Sequence, residues 1–218
     1  MSFIITIANV KGGSGKSTLS VQLAGHYSQH YKVMLVDTDT QQSAASFHAI
    51  RTDNPDLSPF SCATQHQPAG LSFALKEYSD KYDIIIVDTS GRDEGLARRA
   101  MVHSNLVLIP VQPSNFDVWA TDHTVKSVQD CMAANPGLAA RFILNNAQSK
   151  TRLEQATKKY LDEYADSGII LFPAVIHQRV EFRTSIAEGM TVYEYKKDSK
   201  ATDEFLYLTR LVDKIIME

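Results

Sequence analysis

The sequence has few of the features that mark disulfide-rich, membrane-spanning or strongly basic proteins. Only two cysteines, Cys62 and Cys131, occur in 218 residues, and they lack CxxC spacing. This excludes a disulfide framework and predicts thiols that are buried or idle, in a reducing compartment. No apolar run approaches ~20 residues, so no membrane association through a spanning helix is expected. Lysine and arginine total 22 against 25 acidic residues, and the net charge of −3 gives no bulk attraction to nucleic acid, although a local basic patch stays open.

The length and hydrophobic content of the chain are those of one folded domain. A hydrophobic content of 44% in a chain of this length suits one domain with a buried core, and we expect residues 1–218 to form it. A strand-like run follows Met1 at once, which predicts that no signal peptide opens the chain. We therefore expect a cytoplasmic protein.

Short apolar runs alternate with helical patterns along the whole chain. This alternation predicts an α/β fold, with a mostly parallel twisted sheet and helices on both faces. Strands are expected at 3–8, 32–37, 58–64, 83–88, 105–111, 140–145 and 168–176. Helices are expected at 19–30, 41–51, 68–79, 93–103, 115–134, 152–166, 180–188 and 202–217.

A glycine-rich loop connects the first expected strand to the first expected helix. It reads Lys11-Gly12-Gly13-Ser14-Gly15-Lys16-Ser17-Thr18. Its glycines allow backbone N–H groups to point at phosphate oxygens, and the helix N-terminus adds partial positive charge. Lys16 is expected to reach the β- and γ-phosphates of ATP, and the Ser17 hydroxyl to bind Mg²⁺. The loop predicts a single-domain P-loop NTPase; a glycine-rich turn without a ligand is the disfavoured alternative.

The loop differs from the standard phosphate-loop pattern at its start. Val10 stands where glycine is expected, and a second lysine, Lys11, follows it. This motif resembles the deviant Walker A box of the ParA/MinD family of ATPases. The resemblance implies that Lys11 crosses a dimer interface to the partner's nucleotide; a solvated loop lysine is the alternative.

Acidic residues end two of the expected strands. Asp88 follows an Ile-Ile-Ile-Val run and matches a Walker B aspartate, which holds Mg²⁺ directly or through water; a strand-ending cap is the alternative. Asp37-Thr38-Asp39-Thr40-Gln41 resembles the family's Asp-x-Asp-Pro-Gln segment, with threonine in place of proline. The resemblance implies that Asp39 positions the attacking water and that Asp37 supports the Mg²⁺ shell. A polar turn remains the alternative for this segment.

The loop after Asp88 corresponds to a switch loop of the family. Gly91 is expected to bring its N–H near the γ-phosphate. Arg92 either senses that phosphate or forms a surface ion pair beside Asp93 and Glu94.

Two later segments are interpreted as the adenine site. The family commonly places an asparagine near adenine after the sixth strand, which implies contact through Asn145 or Asn146. The segment 172–179 resembles the family's late Ile-x-x-Arg segment, which implies adenine contact by the backbone after Pro173. His177 is interpreted as a solvated or capping histidine, because phosphoryl transfer needs mainly positioning and electrostatics.

The resemblance covers nearly the whole chain and is closest to the short ParF-type ParA partition ATPases. No helix-turn-helix extension is expected before the phosphate loop, so operator binding is not expected. A MinD-type protein would need a membrane-binding C-terminal helix, whereas 205–216 has the pattern of a core-facing helix with few cations.

The resemblance implies a switch driven by ATP and Mg²⁺. An ATP-dependent homodimer would bind DNA non-specifically on the nucleoid, and a cargo- or centromere-binding partner protein would stimulate slow hydrolysis. One alternative is positioning of a protein cargo, such as a microcompartment, a chemotaxis cluster or a division site. The other is a metabolic phosphoryl-transfer or amide-ligase enzyme.

Because the net charge is negative, DNA binding requires a local patch of cations. The pair Lys158 and Lys159 shares its helix with three acidic residues, so a solvated face is an equal alternative there. The candidate DNA contacts are Lys150, Arg152, Lys158, Lys159, Arg179, Arg183, Lys196, Lys197 and Lys200.

Overall fold

The structure is a computed structural model, and it describes residues 2–114, 117–149 and 151–217. Seven strands alternate with helices along the chain. The strands are β1 Phe3–Ile7, β2 Val33–Asp37, β3 Ser61–Thr64, β4 Ile84–Asp88, β5 Leu106–Val111, β6 Ala139–Ala147 and β7 Ile169–His177. The helices are α1 Lys16–Tyr27, α2 Ser43–Thr52, α3 Pro68–Ser79, α4 Glu94–Val102, α5 Asp117–Ala134, α6 Arg152–Asp162, α7 Val180–Ala187, α8 Val192–Tyr195 and α9 Lys200–Ile216.

The strands form one sheet in the order β3-β2-β4-β1-β5-β6-β7. The sequence predicts a mostly parallel sheet, and every pairing between these strands is parallel. The α/β prediction is therefore confirmed. The register aligns Ile7 with Asp88 and Asp37 with Asp88, so three strands end at one level. Ligands of such sheets bind beyond these carboxyl ends.

Helices cover both faces of the sheet, as predicted. Alternate residues of β4 show why, because Ile84 and Ile86 face one layer while Ile85 and Val87 face the other. The first layer is packed by α1, α2 and α9 through side chains such as Leu19, Leu23, Phe47, Phe205 and Leu208. The second is packed by α3, α4, α5 and α6 through Leu71, Leu75, Leu96, Val128 and Leu161.

Several boundaries differ from the sequence predictions. The helix predicted at 152–166 ends at Asp162, and a short 3₁₀ turn, Ala165–Ser167, precedes Gly168. Gly168 has φ +83°, which glycine adopts at low cost, and this left-handed residue ends the turn. The four-residue helix α8 was not predicted. The start predicted for the fifth helix, at 115, lies outside the described residues.

The pairing of β6 with β7 contains two irregularities. Phe142 pairs with Leu171 but Leu144 pairs with Val175, so β7 has extra residues there, and Pro173 lies among them. Proline is tolerated at a bulge because no ladder donor is needed. A second shift lies between Leu144 and Ala147, where Asn146 has a φ of +52°. Irregularities of this kind bend a strand locally, and the second one lies beside the glycine-rich loop, which Asn145 contacts at the Ser14 carbonyl.

Candidate phosphate and nucleotide site

The glycine-rich loop is held tightly against the end of β6. Gly15 has φ +92° and immediately precedes α1. A Cβ at Gly15 would lie 2.1 Å from Nδ2 of Asn145. The same amide nitrogen donates a 2.7 Å hydrogen bond to the Ser14 carbonyl. Asn145 thus fixes the loop, and glycine is required at 15 by both conformation and space.

The two lysines of the loop occupy different environments. Lys16 is 7% exposed, and its Nζ donates a 2.9 Å hydrogen bond to the Lys11 carbonyl. Burial lowers the pKa of Lys16, while the carboxylates of Asp88 and Asp39 raise it. Lys11 is half-buried, and its Nζ lies 3.2 Å from Oγ of Ser114. Within one subunit, then, the Lys11 ammonium contacts a neighbouring loop.

The carboxylate of Asp88 is completely buried at the end of β4. Oδ1 accepts a 3.1 Å hydrogen bond from the Ser20 hydroxyl, while Oδ2 has no hydrogen-bond partner of normal geometry among the described residues. Burial raises the pKa of Asp88 to about 7; the Asp37 charge adds to this rise, and the Ser17 and Ser20 hydroxyls and Lys16 oppose it. A bound cation would satisfy the unpaired oxygen.

The oxygen atoms of Ser17 and Asp88 are the kind of ligand that Mg²⁺ prefers. Mg²⁺ takes oxygen ligands, keeps several waters and is usually held by one or two protein groups together with substrate phosphates. Ser17, in the first turn of α1, and Asp88, at the end of β4, would supply these protein oxygens. No group of three histidine, cysteine or acidic side chains in the described ranges could form a separate metal cage.

Asp37 is fully buried and already has several hydrogen-bond partners. Its Oδ2 accepts backbone N–H groups of Ala44 and Ala45 at 3.0 and 2.9 Å, and its Oδ1 accepts the N–H of Asp39 at 3.0 Å. Burial raises the pKa of Asp37, and these backbone hydrogen bonds lower it in part. The side chain therefore ties the end of β2 to the first turn of α2, and support of the Mg²⁺ shell remains a prediction for it.

Asp39 and the loop after β4 line one cleft with the phosphate loop. The cleft has a volume of about 640 Å³. A Cβ at Gly91 would lie 2.7 Å from the Val10 carbonyl and 3.2 Å from Nζ of Lys16, so Gly91 brings backbone close to the phosphate loop. We call this space the phosphate-side cleft. It is lined by Val10, Gly12, Gly13, Gly15, Lys16, Ser17, Thr18, Asp39, Gln41, Ser43, Ser90, Gly91 and Arg92.

Arg92 is exposed at the rim of this cleft, beside the N-terminus of α4. Asp93 caps that helix, since its Oδ1 accepts the N–H of Leu96 at 2.9 Å. Arg92 donates its own N–H to the Ser90 hydroxyl at 3.2 Å. Arg92 lines the phosphate-side cleft, and sensing of the phosphate remains a prediction for it.

A second cleft of about 260 Å³ adjoins the phosphate loop on the β6–β7 side. Both candidate adenine residues, Asn145 and Asn146, line it, while Pro173 is exposed within β7 and lines neither cleft. The positive φ of Asn146 had no signal in the sequence. We call this space the base-side cleft. It is lined by Gly13, Gly15, Thr18, Asn145, Asn146, Ile176, His177, Gln178, Arg179, Phe182 and Arg183.

The fold, the phosphate loop and the buried acidic strand end define a P-loop nucleotide-binding protein. Residues 5–192 match the model of the CobQ/CobB/MinD/ParA nucleotide-binding domain. The chain belongs to this family. In the described part of the chain, no helix is long and apolar enough to cross a bilayer.

Similar proteins include positioning and partitioning proteins. The maintenance of carboxysome distribution protein A of Halothiobacillus neapolitanus is 24% identical over 99% of this chain and 97% of that protein. The chromosome-partitioning ATPase Soj of Thermus thermophilus is also 24% identical, over 98% of this chain and 96% of Soj. The structure of the septum site-determining protein MinD of Pyrococcus horikoshii with Mg-ADP has a TM-score of 0.75 at 22% identity, covering 99% of this chain and 97% of that chain.

Proposed function

We propose that this protein is an ATPase that binds Mg-ATP in the two adjoining clefts and hydrolyses it slowly. The observation that carries the proposal is the buried carboxylate of Asp88, whose Oδ2 has no hydrogen-bond partner of normal geometry among the described residues. A buried oxygen of this kind is costly unless a ligand completes it. Family membership and a MinD neighbour solved with Mg-ADP support the same ligand.

Each residue has a defined task in this proposal. The backbone N–H groups of 12–18 and the α1 N-terminus bind the phosphates, and Lys16 moves its ammonium from the Lys11 carbonyl to the phosphate oxygens. Asp39 orients the attacking water, and Gly91 places backbone near the transferred phosphate. Ser17 and Asp88 would hold Mg²⁺, whose charge would offset that of the phosphates. Asn145 or Asn146 contacts the adenine.

The proposal is tested by calorimetric binding of ATP with Mg²⁺ and by phosphate release. Lys16→Ala should abolish binding, because it removes the buried charge that faces the phosphates. Lys32→Ala is the matched control, since Lys32 is exposed and precedes β2. Equal ATP affinity in the Lys16 variant and the parent would contradict the proposal.

The output of the nucleotide cycle is proposed to be the positioning of a large cargo. ATP would close a homodimer in which Lys11 leaves Ser114 and contacts the partner's nucleotide. The dimer would bind DNA on the nucleoid without sequence preference, and a cargo- or centromere-bound partner protein would stimulate hydrolysis. The likeness to Soj supports DNA as the cargo, and the likeness to the carboxysome distribution protein supports a protein cargo equally well. Neither relative is named as a metabolic enzyme.

Several candidate DNA contacts are already engaged within the subunit. Arg179 pairs with Glu204, Lys158 with Glu154, and Lys196 lies 3.8 Å from Glu181. Arg183 lines the base-side cleft, and Lys197 lies over the ring of Tyr193. Lys150 lies outside the described residues. We therefore assign DNA contact first to the exposed residues Arg152, Lys159 and Lys200.

A further inference from the structure

One carboxylate on the C-terminal helix collects four hydrogen bonds from the wall of the base-side cleft. Glu204 accepts the backbone N–H of His177 at 3.0 Å and pairs with Nδ1 of the same residue at 2.8 Å. It also accepts hydrogen bonds from Nη2 and Nε of Arg179, at 2.5 and 3.2 Å. His177 is the last residue of β7, and Arg179 immediately precedes α7.

The surroundings of Glu204 favour its charged form. The side chain is 16% exposed. Burial alone would raise the pKa of Glu204, but hydrogen bonds from Arg179 and His177 bring it below the ordinary value. The hydrogen bond to Glu204 likewise raises the pKa of Arg179. Charge-assisted bonds of this kind are stronger than neutral ones.

Two further contacts support the residues that Glu204 holds. Beyond the end of β7, one more hydrogen bond to β6 occurs among the described residues. The Gln178 N–H donates to the Ala147 carbonyl at 2.9 Å. His177 also lies 3.8 Å from Glu154 of α6, so carboxylates flank its ring on two sides. His177, Gln178 and Arg179 all line the base-side cleft, but Glu204 does not.

We propose that Glu204 is a positioning residue that sets the affinity for the nucleoside part of the nucleotide. It acts by fixing His177 and the Arg179 guanidinium at the wall that the base and ribose contact. The inference rests on the proposed function, because it assumes that this cleft receives the base. It places control of nucleotide affinity on α9, outside every motif of the phosphate loop.

The test compares two ligands that share the phosphates but not the base. Calorimetry measures the affinity of ATP and of inorganic triphosphate, each with Mg²⁺, for the parent and for Glu204→Gln. The variant keeps the volume of the side chain and removes its charge. ATP affinity should fall roughly tenfold, which corresponds to one charge-assisted hydrogen bond, while triphosphate affinity stays within about twofold. Asp203→Asn, which changes the exposed neighbour on α9, should alter neither.

A second variant separates positioning from a general loss of structure. Arg179→Gln should weaken ATP to a similar extent, and the double variant should bind ATP about as weakly as either single one, because both remove the same contact. Additive losses would overturn the inference, as would unchanged ATP affinity or equal loss of both ligands in Glu204→Gln. A parent protein that binds neither ligand would overturn the proposed function itself.

Discussion

At the scale of single residues, the candidate site places charged groups where water is largely excluded. Lys16 is 7% exposed and Asp88 is fully buried, and each shifts the pKa of the other. Such groups are costly without a ligand, so they favour binding of one that carries both negative oxygens and a cation. Asp39 is half-buried and Arg92 is exposed, and both line the phosphate-side cleft.

Asp39 provides the residue-scale prediction for hydrolysis. It lines the phosphate-side cleft, and its Oδ1 accepts the N–H of Gln41 at 3.0 Å. Asp39→Ala should keep ATP affinity within about twofold and lower phosphate release roughly a hundredfold, because positioning of the water is lost while the phosphate contacts remain. Asp53→Ala, at the exposed end of α2, is the control. Parental hydrolysis in the Asp39 variant would refute this role.

Lys11 provides a second residue-scale prediction. Its ammonium donates a 3.2 Å hydrogen bond to the Ser114 hydroxyl within the subunit, a contact that it would leave on reaching a partner's nucleotide. Lys11→Ala should keep ATP binding by the monomer but prevent the ATP-dependent dimer. Light scattering with a non-hydrolysable analogue measures this, with Lys32→Ala as the control. A normal dimer would reduce Lys11 to an ordinary loop residue.

At the scale of secondary-structure elements, the regular parts of the molecule were predictable. Strand β4 is five consecutive apolar or acidic residues buried on both faces, and a run of this kind has few alternatives. The phosphate loop was predictable because glycine spacing and two lysines occur together between a strand and a helix. The positive φ of Asn146 was not, because it depends on how β6 and β7 pair.

The role of Glu204 was equally invisible in the sequence. It lies 25 residues from Arg179, and only the packing of α9 against β7 joins them. A glutamate one turn into a helix carries no sequence signal that connects it with the base-side cleft. Contacts of this kind depend on tertiary packing, whereas the phosphate loop depends on local sequence.

A buried ion pair that joins two elements yields a stability prediction. Arg51 of α2 is 2% exposed and binds both carboxylate oxygens of Glu194 in α8, at 2.8 and 2.7 Å. Arg51→Ala should lower the free energy of unfolding by about 3–5 kcal/mol, because the Glu194 charge is left buried without its partner. Arg98→Ala breaks an exposed pair with Asp130 and should cost no more than about 1 kcal/mol. Urea denaturation compares them.

The same pair predicts how stability depends on pH. Burial alone would raise the pKa of Glu194, but hydrogen bonds from Arg51 and Thr191 bring it below the ordinary value of 4.5. The folded state therefore binds fewer protons here than the unfolded state. The resulting stabilisation is complete above the unfolded pKa and is lost as pH falls through the folded one. The free energy of unfolding, measured by urea denaturation at several acidic pH values, should fall less steeply with decreasing pH in Arg51→Ala than in the parent. An unchanged pH dependence would show that other groups cause it.

At the scale of the whole molecule, the numbers of basic and acidic residues are nearly equal, and this balance limits how the protein can bind DNA. The net charge of −3 opposes DNA binding by a single subunit, while a dimer doubles any local patch. Ion pairs within the subunit reduce that patch further, since Arg179 and Lys158 already have carboxylate partners. DNA binding by this fold is therefore expected to require the ATP-bound dimer.

Titration of duplexes of unrelated sequence at several salt concentrations tests this expectation. With a non-hydrolysable ATP analogue, binding should ignore sequence and weaken steeply with salt, because phosphate contacts release counterions. Arg152→Ala should flatten the salt slope by roughly one unit for each phosphate contact removed and affect all sequences alike. Lys81→Ala, on the exposed turn before β4, should leave the slope unchanged. Equal affinity with the ATP analogue and with ADP, or none with either, would exclude ATP-dependent DNA binding from the proposed cycle. A protein cargo, as the likeness to the carboxysome distribution protein suggests, would then be the better hypothesis for the same nucleotide cycle.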